Sequence, residues 1–197
     1  YHYSSDVEAA NDAVKLSRGM AAKASIHNLP HNGGKAVLYI HHKNVDKQAV
    51  FNAFADHVNT LSGKYVTSID VGTTSKDMDI VKNKTGYVIG STDHPETAEH
   101  TALGVYLAIK ASCEHYLSKS LNNVRVGIQG VGSVGSLLIT KLKQHTSDIV
   151  FTDTCLEKRD SILSVYPDLT FVDSQDIYSQ KVDIFIPCAL GGVINSK

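Results

Sequence analysis

The sequence predicts an α/β protein of two domains. The first should hold a small mixed sheet with helices, and the second a parallel sheet with helices on its faces. Three observations carry this reading. From Val124 onward, short apolar strands alternate with helix-length amphipathic segments, the pattern of a parallel sheet. The run Gly127-Ile-Gln-Gly-Val-Gly-Ser-Val-Gly135 joins one such strand to one such helix. Ahead of these, Lys23 and Lys35 stand twelve positions apart, the second preceded by Asn32-Gly-Gly.

A helix is expected from about Asp6 to Ala22, with Ser5 and Glu8 as a capping box and Val7, Val14 and Met20 among its apolar positions. Lys23 then falls at or just past its end. Ala36 to Ile40 reads as a short strand, entered through the glycine turn that carries Lys35. A second helix is expected over 46–61, with Phe51, Phe54, Val58 and Leu61 on one face and Gly63 ending it. The strand Tyr65 to Ile69 delivers Asp70 at its C-terminal end. Asp77 to Val81 opens a short helix, and Tyr87 to Ile89 forms a strand. The loop 90–96 closes the first domain, 1–95.

A long helix over about 98–119 lies within a linking segment, 96–121. The second domain, 122–197, should then run strand 124–129, helix 133–144, strand 149–152, helix 156–165, strand 169–172 and strand 182–186. There is no internal repeat and no low-complexity tract.

With 197 residues, 42% of them hydrophobic, the chain can bury a sizeable core. Its net charge of −1 implies no basic face for nucleic acid. No apolar run approaches the roughly 20 residues of a membrane span, and the first residues carry no signal-peptide pattern. Cys113, Cys155 and Cys188 are isolated and odd in number, which argues for a reduced, cytoplasmic protein. Ten histidines, His41-His42 among them, show no metal-ligand spacing, so no metal is expected. Asp77 and Asp79 read as helix N-terminal charges.

The glycine run carries chemistry. Gly130 makes a tight turn, Gly132 lets backbone approach a pyrophosphate, and Gly135 lets the helix pack on the strand. Val131, Ser133 and Val134 complete the loop. Asp153 closes the next strand, 18 residues after Gly135, where a carboxylate accepts hydrogen bonds from ribose hydroxyls and repels a 2′-phosphate. The second domain is therefore read as a Rossmann domain that binds NAD in preference to NADP. Strand–helix packing alone is the alternative explanation for the glycines. Most lysines are solvated, but Lys35, held near apolar walls and a second cation, has the setting of an amine with a lowered pKa. Asp70 either caps the turn that follows it or serves as a proton-transfer carboxylate. Cys188, in Pro187-Cys-Ala-Leu-Gly-Gly192, has no paired base and is read as part of a loop at the C-terminal end of a strand.

Taken together, these residues resemble the Glu/Leu/Phe/Val amino-acid dehydrogenase family. The matching stretches are Leu16-Ser-Arg-Gly-Met-Ala-Ala-Lys23, Gly33-Gly-Lys-Ala-Val37, Asp70-Val-Gly-Thr-Thr-Ser-Lys-Asp-Met-Asp-Ile80, Thr101-Ala-Leu-Gly-Val-Tyr106, Gln129-Gly-Val-Gly-Ser-Val-Gly135, Val150-Phe-Thr-Asp153, Asp176-Ile-Tyr-Ser-Gln180 and Pro187-Cys-Ala-Leu-Gly-Gly-Val-Ile-Asn195. The resemblance implies that Lys23 grips the substrate carboxylate, that Lys35 polarises the keto or imino carbon and activates water, and that Asp70 handles protons on the amino nitrogen. It places Thr101, the loop 130–135, Asp153, Cys188 and Ala189 at the NAD site, and Ser68 where the side-chain pocket is lined. The implied reaction is oxidative deamination of a branched-chain, leucine-like amino acid. A phenylalanine or valine specificity, or a non-catalytic NAD-binding fragment, is the alternative. Family members are homo-oligomers. The chain begins and ends inside the family pattern, so the Rossmann domain is expected to be incomplete, and the loop 90–101 is shorter than the family's.

Overall fold

The computed structural model describes residues 3–40, 45–93 and 97–194. His41, His42, the end of the expected boundary loop and Asn195 lie outside the described residues. The chain divides into two compact units, residues 1–95 and 96–197, each with its own core.

The first unit is built on three helices: α1 (Asp6–Ile26), α2 (Lys47–Thr60) and α3 (Ser75–Lys82). Half of the expected capping box forms at α1. The Ser5 side chain accepts from Glu8 N at 3.2 Å, while the Glu8 carboxylate turns to the backbone and hydroxyl of Ser4. The helix runs past Ala22, so Lys23 sits inside its last turn, a favourable place for a cation. Its burial also differs from expectation. Val7 is 69% exposed, Val14 and Met20 are also exposed, and the helix buries Ala9 and Ala24. Small residues let neighbouring backbone approach, and one such approach fixes the lysine-bearing loop described below.

Asp46 caps α2, and the chain leaves that helix through Ser62 and Gly63, both at positive φ. Phe51, Ala55 and Val58 are its buried residues. Phe51 and Ala55 join Met78, Val81 and Val88 in the core, with Leu38, Phe54, Ile69 and Ile80 packed on them. Thr74 and Asp77 form a complete capping box at α3. That accounts for Asp77, whose side chain is buried at the helix start. Thr74→Ala should lower stability by about 1 kcal/mol, read as a fall in urea midpoint at unchanged m-value.

The mixed sheet expected in this unit is not formed among the described residues. One parallel bridge, Thr67 to Val88, is all that pairs there. Residues 36–40 are irregular, and among the described residues no ladder pairs with this run. Ala36, Val37 and Leu38 instead line an apolar groove with Ala53 and Phe54 of α2.

In the second unit, β1 (Val126–Gln129), β2 (Ile149–Thr152), β3 (Thr170–Phe171) and β4 (Ile184–Pro187) form one parallel sheet, in the order β3-β2-β1-β4. Every residue of β1 and β2 is buried, as expected for strands covered on both faces. The helices are α4 (Thr97–Ser112), α5 (Ser133–Leu142) and α6 (Leu156–Val165). The expected long helix is shorter than 98–119: α4 gives way to a π turn, Cys113–Leu117, closed by Ser118 at φ 50. It packs against α5, and Ile109, Cys113 and Leu121 enter the same core as Ile128, Leu138 and Phe151. The segment 96–121 is thus part of the second unit's packing. Among the described residues, no helix is long and apolar enough to cross a membrane.

Candidate functional site

Two sets of candidate residues assemble, one in each unit. In the first, Gly33 lies so close to α1 that a Cβ there would strike the backbone of Ser17 and Ala21 and come within 2.7 Å of the Met20 carbonyl carbon. At Gly34 a Cβ would meet the Tyr65 ring at 2.7 Å. The two glycines therefore press the loop between α1 and Tyr65, and Lys35 follows with its side chain only 20% exposed. Its ammonium pairs with the carboxylate of Asp70, which is 50% exposed.

Burial pushes the Lys35 amine below its ordinary value. The cation of Lys23 lowers it further, and Asp12 opposes the shift. Asp70 also opposes it, but an ion pair facing solvent is screened. Lys23 itself is exposed. Asp70 is held by a tight turn: its N–H donates to the Thr73 hydroxyl at 2.9 Å, which in turn donates to the Asp70 carbonyl at 2.8 Å, while Gly72 takes φ 84. Its Oδ1 accepts from Val71 N at 2.7 Å, leaving Oδ2 for Lys35. One oxygen thus caps the turn and the other faces the amine. Ser68 is half-buried, with its hydroxyl 3.1 Å from the position of a Cβ on Gly90. A groove of ≈ 390 Å³ runs beside Lys35, lined by Ser17, Phe54, His57 and Tyr65, but Lys23, Ser68 and Asp70 do not line it.

The second set lies at the carboxyl ends of β1 and β4. The chain leaves β1 at Gly130, φ 91, which abuts Ala189 and Cys188; a Cβ there would lie 2.8 Å from Ala189 N. Gly135 packs against the Gly130 carbonyl, and its Cβ position lies 3.5 Å from Cys188 Cβ. Around Gly132, by contrast, nothing lies closer than Lys158 Nζ at 3.9 Å from the Cβ position. Gly132 caps α5 without a side-chain bond to the helix start, where Ser133 and Val134 begin the first turn. Such a helix start, with open space over a glycine, suits a phosphate.

Asp153 is placed beside the loop with its side chain 8% exposed. It accepts from Val131 N at 2.8 Å and Cys155 N at 2.9 Å. Two of the four lone-pair sites of a carboxylate are used this way, and two remain for a ligand. Burial pushes the Cys188 thiol up, which keeps it protonated and unreactive near neutrality. Its backbone N–H donates to Gln129 O at 2.7 Å and seats the loop after β4 against β1. Thr101 is exposed on α4, the helix that packs on α5.

Some contributors escaped the sequence reading. Asp12 acts on Lys35 from another turn of α1, and Tyr65 meets Gly34 across a long separation, so no local signal marks either. Thr73 was legible as the closing residue of an Asp-x-Gly-Thr turn. Lys158 carried no signal.

Residues 1–87 match the family model "Glu/Leu/Phe/Val dehydrogenase, dimerisation domain". The L-tryptophan dehydrogenase of Nostoc punctiforme is 37% identical over 196 residues, 98% of this chain and 55% of that protein. Its crystal structure superposes with a TM-score of 0.70 at 36% identity, over 98% of this chain and 55% of that one. The leucine dehydrogenase of Geobacillus stearothermophilus is 39% identical over 99% of this chain and 54% of its own length. The valine dehydrogenase of Streptomyces virginiae is 35% identical over 99% and 56%. The chain spans about half the length of the curated relatives it matches. The chain thus matches the Glu/Leu/Phe/Val dehydrogenase family model over residues 1–87 and is similar to tryptophan, leucine and valine dehydrogenases over nearly its whole length.

Proposed function

We propose that this chain carries the catalytic lysine and the dinucleotide loop of an NAD-dependent L-amino-acid dehydrogenase, which converts a branched-chain amino acid such as leucine to its 2-oxo acid. The overall change is amino acid, NAD⁺ and water to 2-oxo acid, ammonium, NADH and a proton. The observation that carries the reading is a half-buried lysine, its pKa lowered by burial and by Lys23, paired with a carboxylate. That is the setting a general base of lysine type needs.

Lys23 holds the substrate carboxylate by charge. Lys35, its pKa lowered by burial and by Lys23, takes a proton from the water that attacks the imino carbon. Its charged form then polarises the carbinol oxygen. Asp70 Oδ2 exchanges protons with the amino nitrogen, while Oδ1 stays bound to Val71 and keeps the carboxylate in place. Ser68 lines the side-chain pocket. Bound NAD supplies the hydride acceptor. Gly132 with the α5 start holds its diphosphate, Asp153 the ribose hydroxyls, and Thr101, Val131, Cys188 and Ala189 the walls of the site.

A valine substrate is supported to the same degree as leucine, because relatives of both kinds are similarly identical to this chain. The dimerisation-domain match and the exposed Val7 and Ile26 of α1 support a homo-oligomer. Three unpaired thiols support the cytoplasm.

The test is NADH formation, followed by absorbance, with NAD and a panel of leucine, valine, isoleucine, phenylalanine, tryptophan and glutamate. Turnover is expected with leucine or valine first. A folded chain that binds NAD yet reduces none with any substrate would sink the enzyme reading and leave a cofactor-binding fragment.

A further inference from the structure

Lys158 stands in α6, outside every motif of the sequence, yet among the described residues outside the loop it is the one whose side chain comes within 4 Å of a Cβ position at Gly132. Its Nζ lies 3.9 Å from the Cβ position at Gly132 and 3.9 Å from Asp153 Oδ2. The side chain is 49% exposed. Among the described residues its one ion pair is that long contact with Asp153, whose carboxylate is already held by two backbone N–H groups at 2.8 and 2.9 Å. The neighbouring Arg159 is committed elsewhere: its Nε lies 2.8 Å from Asp160, and its guanidinium sits 5.4 Å from the centre of the Phe171 ring. Lys158 is therefore a cation with a loose partner, beside a helix start that has no side-chain cap and a glycine that leaves room for phosphate.

We propose that Lys158 is a cofactor-binding residue whose ammonium leaves Asp153 to pair with the diphosphate of the dinucleotide, freeing the carboxylate for the ribose hydroxyls. The inference rests on the NAD-binding reading above. Two arrangements of one flexible side chain suffice. Without ligand, the ammonium partly shields Asp153. With ligand, it meets a stronger anion a short distance away, while Asp153 gains two hydroxyl donors in exchange. No other group need move, because the loop and Asp153 are already tied by the Val131 bond.

The experiment measures binding by the whole chain, using NADH fluorescence and competition by NAD, ADP-ribose, NADP and adenosine. The proteins compared are wild type, Lys158→Ala, Lys158→Arg and the exposed Lys181→Ala as control. Lys158→Ala should weaken NAD and ADP-ribose by about tenfold and NADP by the same factor. Adenosine, which has no phosphate, should be unaffected. Lys158→Arg should restore most of the loss, and the salt dependence of NAD binding should be shallower in Lys158→Ala than in wild type. An unchanged NAD affinity in Lys158→Ala would overturn the assignment. Equal weakening of adenosine would place the lysine's effect on the ribose through Asp153, and a larger loss for NADP than for NAD would place it at the 2′-position; either overturns it as well. Wild-type protein that binds no dinucleotide at all would instead overturn the NAD reading itself, and this inference with it.

Discussion

Lys35→Ala should lower the rate of NADH formation by about 10³-fold or more, with little change in the affinity for NAD. The side chain is the base in the proposed reaction and lies in the first unit, while the glycine loop lies in the second. The expected effect is therefore on kcat, and NADH fluorescence titration serves as the independent check. Loss of NAD binding in the same proportion would show that the substitution damages the whole chain and would remove its meaning for catalysis. The pH profile should follow the same group. Burial and Lys23 favour the neutral amine, so activity should rise with pH at a value below that of an ordinary lysine.

The lowered pKa also has a consequence for stability. Folding takes this amine from its ordinary value of 10.5 to a lower one. Between the two values the unfolded chain holds more protons, so stability rises with pH there. Below the lower value the cost of the buried cation is present in full, and above 10.5 it is gone. Lys35→Met removes the titrating group. Wild-type Tm should therefore climb relative to the Lys35→Met protein across that alkaline window. A constant Tm difference would refute the lowered pKa. The ion pair with half-exposed Asp70, lost in the same variant, contributes at most ~1 kcal/mol; it weakens as the amine deprotonates in that same window and so only partly offsets the climb.

The second large effect is structural. Gly130→Ala should destabilise the second unit by about 3–5 kcal/mol, read as a drop in Tm of more than ~10 °C for a unit of this size. Two causes add. At φ 91 a non-glycine residue is strained, and its Cβ would press on backbone, 2.8 Å from Ala189 N and 2.9 Å from Ala189 Cα. Backbone cannot rotate away as a side chain can. Sheet pairing holds both partners: Gly130 N donates to Thr152 O of β2 at 2.8 Å, and Cys188 N, after β4, to Gln129 O of β1 at 2.7 Å.

Gly132→Ala provides the contrast. Gly132 has φ −71 and no atom closer than 3.9 Å to the Cβ position. Its stability should change by less than ~0.5 kcal/mol, yet NAD binding should fall sharply, because the methyl occupies the space left for phosphate. A Gly132→Ala protein that binds NAD normally would show that the diphosphate lies elsewhere.

The second unit was largely legible in the sequence. Strand β2 and helix α6 fall where expected, and the other strands and α5 differ only at their ends. Buried parallel strands are short continuous apolar runs, and the glycines that punctuate them answer to local backbone demands. Both are properties of neighbouring residues in the chain.

The first unit was less legible. Its helices were found, but Val7, Val14 and Met20, named among the apolar positions of α1, are exposed. Among the described residues, the three apolar runs read as strands contribute one bridge, between the second and the third. An apolar run records that a segment packs against something; whether it pairs depends on another strand being alongside.

The sequence by itself determined the order of elements in the second unit and the glycine loop with Asp153 behind it, and it singled out Lys23 and Lys35. Local periodicity and residue chemistry suffice for these. Only the tertiary structure decided that Gly33 is demanded by the backbone of α1, that Asp70 divides its two oxygens between its own turn and Lys35, and that Lys158 reaches Gly132. Each depends on a contact between segments far apart in the chain. Burial, which lowers the Lys35 pKa, likewise exists only once those segments have closed around the amine.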